Sequence, residues 1–325
     1  MGVLAGVALP AQALAQEITF FRILTGGTVG TYFPIGGMIA NAISNPPGSR
    51  PCSEGGSCGV PGLVATAVAS NGSVANAAAI GNGIGQSGFI QSDIAYWAYT
   101  GGGIYEGRGK IDVLRAICNL YAESFHLVVR RGSGIKSVTD LRGKRVSLDE
   151  PGSGTLVDAR LILSSYGLTE TDVRAVYLPA QRVADSFKEG SIDAFFNVSG
   201  WPQSAVAELA ATVGIELVPI DGVAAETLLR QYSFFGADEI PDGTYKGVAG
   251  VKTVSVHALW VTSSKQPEEL IYRITAALWN SSTRKLLASG HAKGRDIRLA
   301  TALVGVGIPL HPGAEKYYRE SGLIK

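Results

Sequence analysis

Five short segments carry the residue types from which a ligand site is built. The first, TGGTVGTYFP at 25–34, is a glycine turn with hydroxyls between a predicted strand and a predicted helix. Free peptide N–H groups at a helix start, with the helix dipole behind them, favour an anion there. A tight turn that merely needs glycine is the plain alternative. The motif is not a nucleotide site, because no G-x-G-x-x-G stands in register and no Gly-Lys-Ser/Thr is present. The second segment is Asn71-Gly72-Ser73 at a predicted helix start, and the third is Gln91-Ser92-Asp93 at a predicted strand end. Asp93 suits a helix N-cap equally well. The fourth, PGSGT at 151–155, offers the Ser153 and Thr155 hydroxyls and successive N–H groups as an anion nest. The fifth joins DAFFN at 193–197 to GWPQ at 200–203, where Trp201, with Phe195 and Tyr32, is either a cleft wall or core.

Catalytic patterns fare poorly beside these. GGSCG at 55–59 matches G-x-S-x-G literally, but no strand precedes it, so a nucleophile elbow is not expected. His126, His257, His291 and His311 are scattered without metal-ligand spacing, and lone histidines usually sit satisfied in the core or on the surface. Neither a metal nor a catalytic triad is expected. Glu123 and Asp193 are a conceivable pair in space, which spacing alone leaves open.

The elements that must position these segments alternate in βαβ order. Strands are predicted at 18–24, 63–69 and 87–90, with helices at 33–43, at 74–84 capped by Ser73, and after Asp93. The order restarts with strands at 145–148, 174–177, 194–198 and 215–218, and helices at 155–166, 180–188 and 202–212. A second parallel sheet is the natural expectation. Two crossings, through the extended segment SFHLVVRR at 124–131 and through PID at 219–221, predict two lobes on a hinge. In open α/β sheets ligands sit at the carboxyl ends of strands, so the five segments are expected to face one crevice.

With 28 Lys+Arg against 27 Asp+Glu over 325 residues, the chain is nearly neutral, which argues against a nucleic-acid binder. A hydrophobic share of 46% excludes intrinsic disorder. No charged side chain falls between Arg22 and Arg50 or at 55–92. The first lobe is therefore expected to hold an anion with N–H groups, hydroxyls and helix ends. The uncharged run at 1–15 ends in Ala13-Leu14-Ala15 and reads as a secretory signal cleaved near Ala15, with a short apolar strand as the alternative. Export would place the chain in an oxidising compartment. Cys52 and Cys58, six positions apart in a Gly-rich loop, then read as a disulfide or as two free thiols, and Cys118 as a buried thiol.

Several longer blocks resemble the solute-binding subunits of TAXI-type tripartite ATP-independent periplasmic (TRAP) transporters. They are TGGTVGTYFPIGG at 25–37, NGSVAN at 71–76, GFIQSDIAYWAYTGG at 88–102, the run from Leu120 to Thr155, GSIDAFFNVSGWP at 190–202 and IPDGTYKG at 240–247, in the family's order. The resemblance implies an α/β, type II periplasmic-binding-protein fold of two lobes on a two-strand hinge. Lobe I would take 16–124 and 220–325, and lobe II 125–219. It implies a monomeric periplasmic receptor, without enzymatic activity or cofactor, that hands a small organic acid, glutamate-like or a dicarboxylate or 2-oxo acid, to TRAP membrane subunits. A periplasmic sensor and an enzyme on the same fold are the competing readings. The contact residues carried over are Gly27, Thr28, Thr31, Tyr32, Ser73, Gln91 and Asp93 on one lobe, with Ser153, Gly154, Thr155, Asn197 and Trp201 on the other.

Overall fold

The computed structural model describes residues 17–325, and the expected signal and cleavage site lie outside the described residues. The first half runs β1 (Thr19–Leu24), α1 (Tyr32–Ile43), a two-residue ladder of β2 (Ser44–Asn45) with β3 (Val60–Pro61), β4 (Leu63–Val68), α2 (Ser73–Gly81), β5 (Ser87–Gln91) and α3 (Ser92–Thr100). Then comes β6, a 17-residue strand from Leu114 to Arg130. The second half runs β7 (Arg145–Ser147), α4 (Gly154–Ser165), β8 (Arg174–Val176), α5 (Ala180–Lys188), β9 (Ala194–Ser199), α6 (Ser204–Thr212) and β10 (Ile215–Leu217). The chain closes with α7 (Gly222–Gln231), β11 (Gly236–Ile240), β12 (Val251–Ser263), α8 (Glu268–Trp279), α9 (Ser281–Gly290) and α10 (Pro312–Glu320).

The expected second parallel sheet is not a separate sheet. β4, β1 and β5 pair in parallel, as do β8, β7 and β9, but the antiparallel pair β12 and β6 joins the two groups in the order β4-β1-β5-β12-β6-β9-β7-β8. β6 is long enough to serve both: 114–124 pair with β12, and Ser124 to Val129 pair with β9. β12 does the same from the other side, binding β5 through 258–262 and β11 through 251–255.

The apolar core follows this division. Phe125, Leu127 and Ile162 share a cluster with Ala225, Leu228, Phe235, Val254 and Val256, so residues after 220 also pack against the second half. On the first side, Ile35 and Ile39 of α1 pack with Ile271 and Ile274 of α8 over Phe89 and Trp260. Burying such side chains contributes about 1.5–3 kcal/mol each, and it is this packing that holds the strand ends still.

Local starts differ from expectation in three places. Ser73 is the first residue of α2 and Gly72, at φ 108°, precedes it, so Ser73 is not the cap. Asp93 lies in the first turn of α3 while Gln91 is the residue before the helix. Gln203, whose side chain accepts the Val206 N–H, caps α6, and Pro202 stays outside it. Cys52 and Cys58 form a disulfide and Cys118 is buried and free. Among the described residues no helix is long and apolar enough to cross a membrane.

Candidate functional site

Five carboxyl ends of strands open onto one cleft. β1 delivers Gly26, Gly27, Gly30, Thr31 and Tyr32; β4 delivers Asn71, Gly72 and Ser73; β5 delivers Gln91. Facing them, β7 delivers Asp149, Ser153, Gly154 and Thr155, and β9 delivers Asn197, Val198 and Ser199. Glu123 of β6 and Ala180 of α5 complete the wall. The space offers about 80 Å³ to the centres of water-sized atoms. That is well below the roughly 300–1,000 Å³ of drug-sized pockets and suits a small metabolite rather than a nucleotide.

Four helices begin at this wall: α1 after Thr31, α2 after Gly72, α4 after Ser153 and α5 after Pro179. First-turn amides have no partner inside their own helix, so the wall is rich in N–H donors and in the positive ends of helix dipoles. The hydroxyls are less free than their types suggested. Thr31 Oγ1 donates to Gly200 O at 2.9 Å, Ser73 Oγ accepts the Gln91 N–H at 3.0 Å, and Ser153 Oγ accepts the Leu156 N–H at 3.1 Å. Thr155 Oγ1 accepts the Val198 N–H at 3.2 Å. Ser153 and Thr155 only accept in these bonds and keep their O–H groups, so hydroxyls stand beside the peptide groups as donors in the wall.

Nine of the twelve residues expected at a ligand line the cleft: Gly27, Thr31, Tyr32, Ser73, Gln91, Ser153, Gly154, Thr155 and Asn197. Thr28 points to solvent. Asp93 is fully buried outside the cleft wall. The Trp201 ring lies under the Lys293 ammonium, 4.1 Å from the ring centre, instead of walling the cleft.

The spacing missed two carboxyls. Glu123, 2% exposed, accepts the Tyr32 hydroxyl at 2.6 Å on Oε2. Burial pushes its pKa up to about 8; Asp93 adds to the rise, while Tyr32 and Lys293 oppose it. Asp149, at φ 76°, sits in the left-handed region, a strained placement for a residue with a side chain. Burial pushes its carboxyl up to about 7, against the lowering effect of the Glu150 N–H and of the Ser153 and Thr155 hydroxyls. Among the described residues no lysine or arginine lines the cleft. Asp193 does not meet Glu123 and binds Arg145 through both carboxyl oxygens instead. His126 is a core residue, its ring held by Ser124 O and the Tyr245 hydroxyl, with burial lowering it to about 4. Ser57 of the GGSCG loop donates to Ser44 O and stands on no strand-to-helix elbow.

The two sides touch around the cleft. Gln203 and Ser204 both donate to Val29 O, at 3.0 and 2.8 Å, beside the Thr31 to Gly200 bond. At the other edge the Ala75 N–H donates to Gly152 O at 3.0 Å, and Asn71 Nδ2 to Pro151 O at 3.2 Å. This is a closed arrangement.

A cleft between two sheet groups bridged by two shared strands defines the periplasmic-binding-protein class of fold. The alkanesulfonate-binding protein SsuA from Xanthomonas axonopodis pv. citri, bound to MOPS, is similar at 15% identity over 94% of this chain and 85% of that one, with a TM-score of 0.51. A protein from Bordetella bronchiseptica RB50 is similar at 15% identity over 93% and 81% of the two chains, also with a TM-score of 0.51. The signature of the NMT1-like family matches residues 23–322, and the chain belongs to that family.

Proposed function

We propose that the protein is an exported solute-binding protein that closes on a small organic acid and passes it, chemically unchanged, to the membrane subunits of a TRAP transporter. The carrying observation is the ring of four helix starts around a metabolite-sized cleft whose two sides are already bonded to each other. Peptide donors suit a carboxylate, and charge-assisted hydrogen bonds contribute about 1.5–3 kcal/mol each. Four such bonds approach the roughly 8 kcal/mol of a micromolar complex. Glu123 and Asp149 face the same space without a cation among its lining residues, which supports a glutamate-like solute over a plain dicarboxylate. Binding of sulfonate-type anions by the SsuA neighbour, as its MOPS complex records, fits the same donor chemistry.

On this reading, residues 17–124 and the chain beyond β12 form one lobe, the intervening chain forms the other, and both bend about β6 and β12. The TRAP partnership rests on the sequence blocks from 25–37 to 240–247 in that family's order. A thermal-shift panel of four- to six-carbon dicarboxylates, 2-oxo acids and acidic amino acids tests the solute. At a hundredfold excess over Kd, a true ligand stabilises by about 2.7 kcal/mol. A flat panel across all three classes would overturn the organic-acid reading.

A further inference from the structure

Asp93 in the first turn of α3 and Asp158 in α4 are both 0% exposed. Their carboxyls meet within hydrogen-bonding reach of each other, one from each side of the cleft. None of the four oxygens has a well-formed hydrogen bond from a protein donor; the nearest donors are the Asp93 and Ile94 N–H groups for Asp93 and the Gln91 amide for Asp158. The neighbouring groups offer no neutralising charge. β5 brings the Gln91 amide, the nearest donor to Asp158, and β6 brings Glu123, a further carboxyl that offers no counter-charge. The short helix at Gly103–Tyr105 brings the Tyr105 hydroxyl, itself without a partner, with Arg108 acting on that tyrosine. β12 brings His257, whose Nδ1 is unpartnered and whose proton affinity burial lowers, with Asp238 beyond it. Asn76 of α2 is bonded to Leu24, Thr25 and Phe89 carbonyls, and α7 turns Glu226 and Arg230 to solvent. No lysine or arginine is among the groups acting on the pair.

Two carboxylates cannot both stay ionised in contact, away from water and without a counter-charge. One proton held between them turns repulsion into a short charge-assisted O–H···O bond, and gives one oxygen of each carboxyl a partner. α3 also presses Tyr96 and Trp97 against Phe234 and Trp97 against Tyr232, so the pair lies inside the contact between the two sides. Parting α3 from α4 would wet both carboxyls and return them toward ordinary acidity.

We propose that Asp93 and Asp158 form a proton-sharing clasp that couples closure of the two sides over the cleft to the uptake of one proton. The clasp rests on the open-and-close reading given above and adds its regulation. The electrostatics agree in sign: burial pushes Asp93 up to about 7, and burial together with Asp93 holds Asp158 well above the carboxylate range. The closed form thus keeps a proton that the wetted, open form gives up above about pH 4. Raising the pH through the closed-state range opposes closure, by up to about tenfold in the closure equilibrium per pH unit for one proton.

Small-angle X-ray scattering of the solute-free mature protein between pH 5.5 and 8.5 tests this without any ligand. The wild-type closed fraction should fall as pH rises, and an unchanged profile overturns the proposal before any variant is made. Asp158→Asn, whose amide donates to Asp93 without needing a proton, should remain closed with the pH dependence removed, as should Asp93→Asn with Asp158→Asn. Glu123→Gln must keep the dependence. If Glu123→Gln abolishes it while the double Asn variant retains it, the proton belongs to Glu123 and the clasp is wrong. Should the Asn variants fail to fold, wild type decides in sodium, potassium and choline chloride at equal ionic strength: equal pH profiles support a proton, and closure that depends on the alkali cation overturns it. A solute panel blank at both pH limits would defeat the capture reading while the scattering result still judged the clasp.

Discussion

Replacing Gly154 by alanine should wedge the cleft open. Gly154 starts α4, and a Cβ there would run into Gln91 Oε1 and stand 2.5 Å from Gln91 Cδ and 3.1 Å from Ser73 Oγ. Gln91 is 3% exposed and linked to Ser73 through both its N–H and its side chain, and the space open to its amide is the cleft itself, where it would displace the solute. With a solute seated there, relief must come from the two sides moving apart. Overpacking of this kind costs about 1–3 kcal/mol. At 1.4 kcal/mol per tenfold, affinity for the best solute of the panel should drop about 5- to 150-fold. Titration calorimetry reads the loss, and scattering should show a more open protein with an unchanged far-ultraviolet circular dichroism spectrum. Gly37→Ala is the control: its Cβ meets nothing within 4 Å on the outer face of α1, and the change should leave affinity untouched. It should raise stability by roughly 0.5–1 kcal/mol. Wild-type affinity and scattering for Gly154→Ala would refute the idea that contact across this edge is what holds the solute.

Tyr32→Phe removes the donor to Glu123 Oε2 and should cost about 1–3 kcal/mol in urea unfolding; no change would mean that the carboxyl finds another donor. Glu123 keeps its proton when folded from its ordinary value near 4.5 up to about 8, while the unfolded chain has lost it. Wild-type stability should therefore fall as pH rises through that window, by up to about 1.4 kcal/mol per unit from this group, and Glu123→Gln should flatten the fall; equal slopes in urea midpoints at pH 5 and 8 would count against the placement. Lys293→Met removes an ammonium seated 4.1 Å from the Trp201 ring centre and should weaken solute binding about 2- to 30-fold, the range of a cation–π contact of about 0.5–2 kcal/mol. Reducing Cys52–Cys58 opens a short loop and should cost no more than about 2 kcal/mol, without altering solute affinity. A loss of binding on reduction would tie that loop to the site.

What sequence spacing revealed and what it hid divides along local and non-local lines. The turns at 25–34 and 151–155 announce themselves through glycine and hydroxyl residues, and the structure places both on one cleft. The strands that lead into such turns follow from β-branched runs, so β1, β4, β5 and β7 lie close to their expected spans. The joining of the two parallel groups was not readable, because it depends on β6 pairing with a strand more than a hundred residues away. Glu123 drew notice only as a partner for Asp193, and its place at the cleft was unreadable for the same reason: nothing local marks one carboxyl inside a 17-residue strand as facing a cavity. Asp149 required its left-handed backbone, and Asp158 sits mid-helix where acidic residues are ordinarily solvated. Trp201 shows the opposite error, an aromatic beside the right loop whose ring a lysine had already claimed.

β6 passes from one side of the molecule to the other without interruption, clamped along its length by neighbours on either flank. A connection of that kind can twist or bow, but its walls cannot slip past each other by a residue without breaking a whole row of pairings. Alignment of the jaws is thus inherited from the middle of the protein. New tastes can be acquired by rewriting the turns at the strand tips while the bite itself stays true.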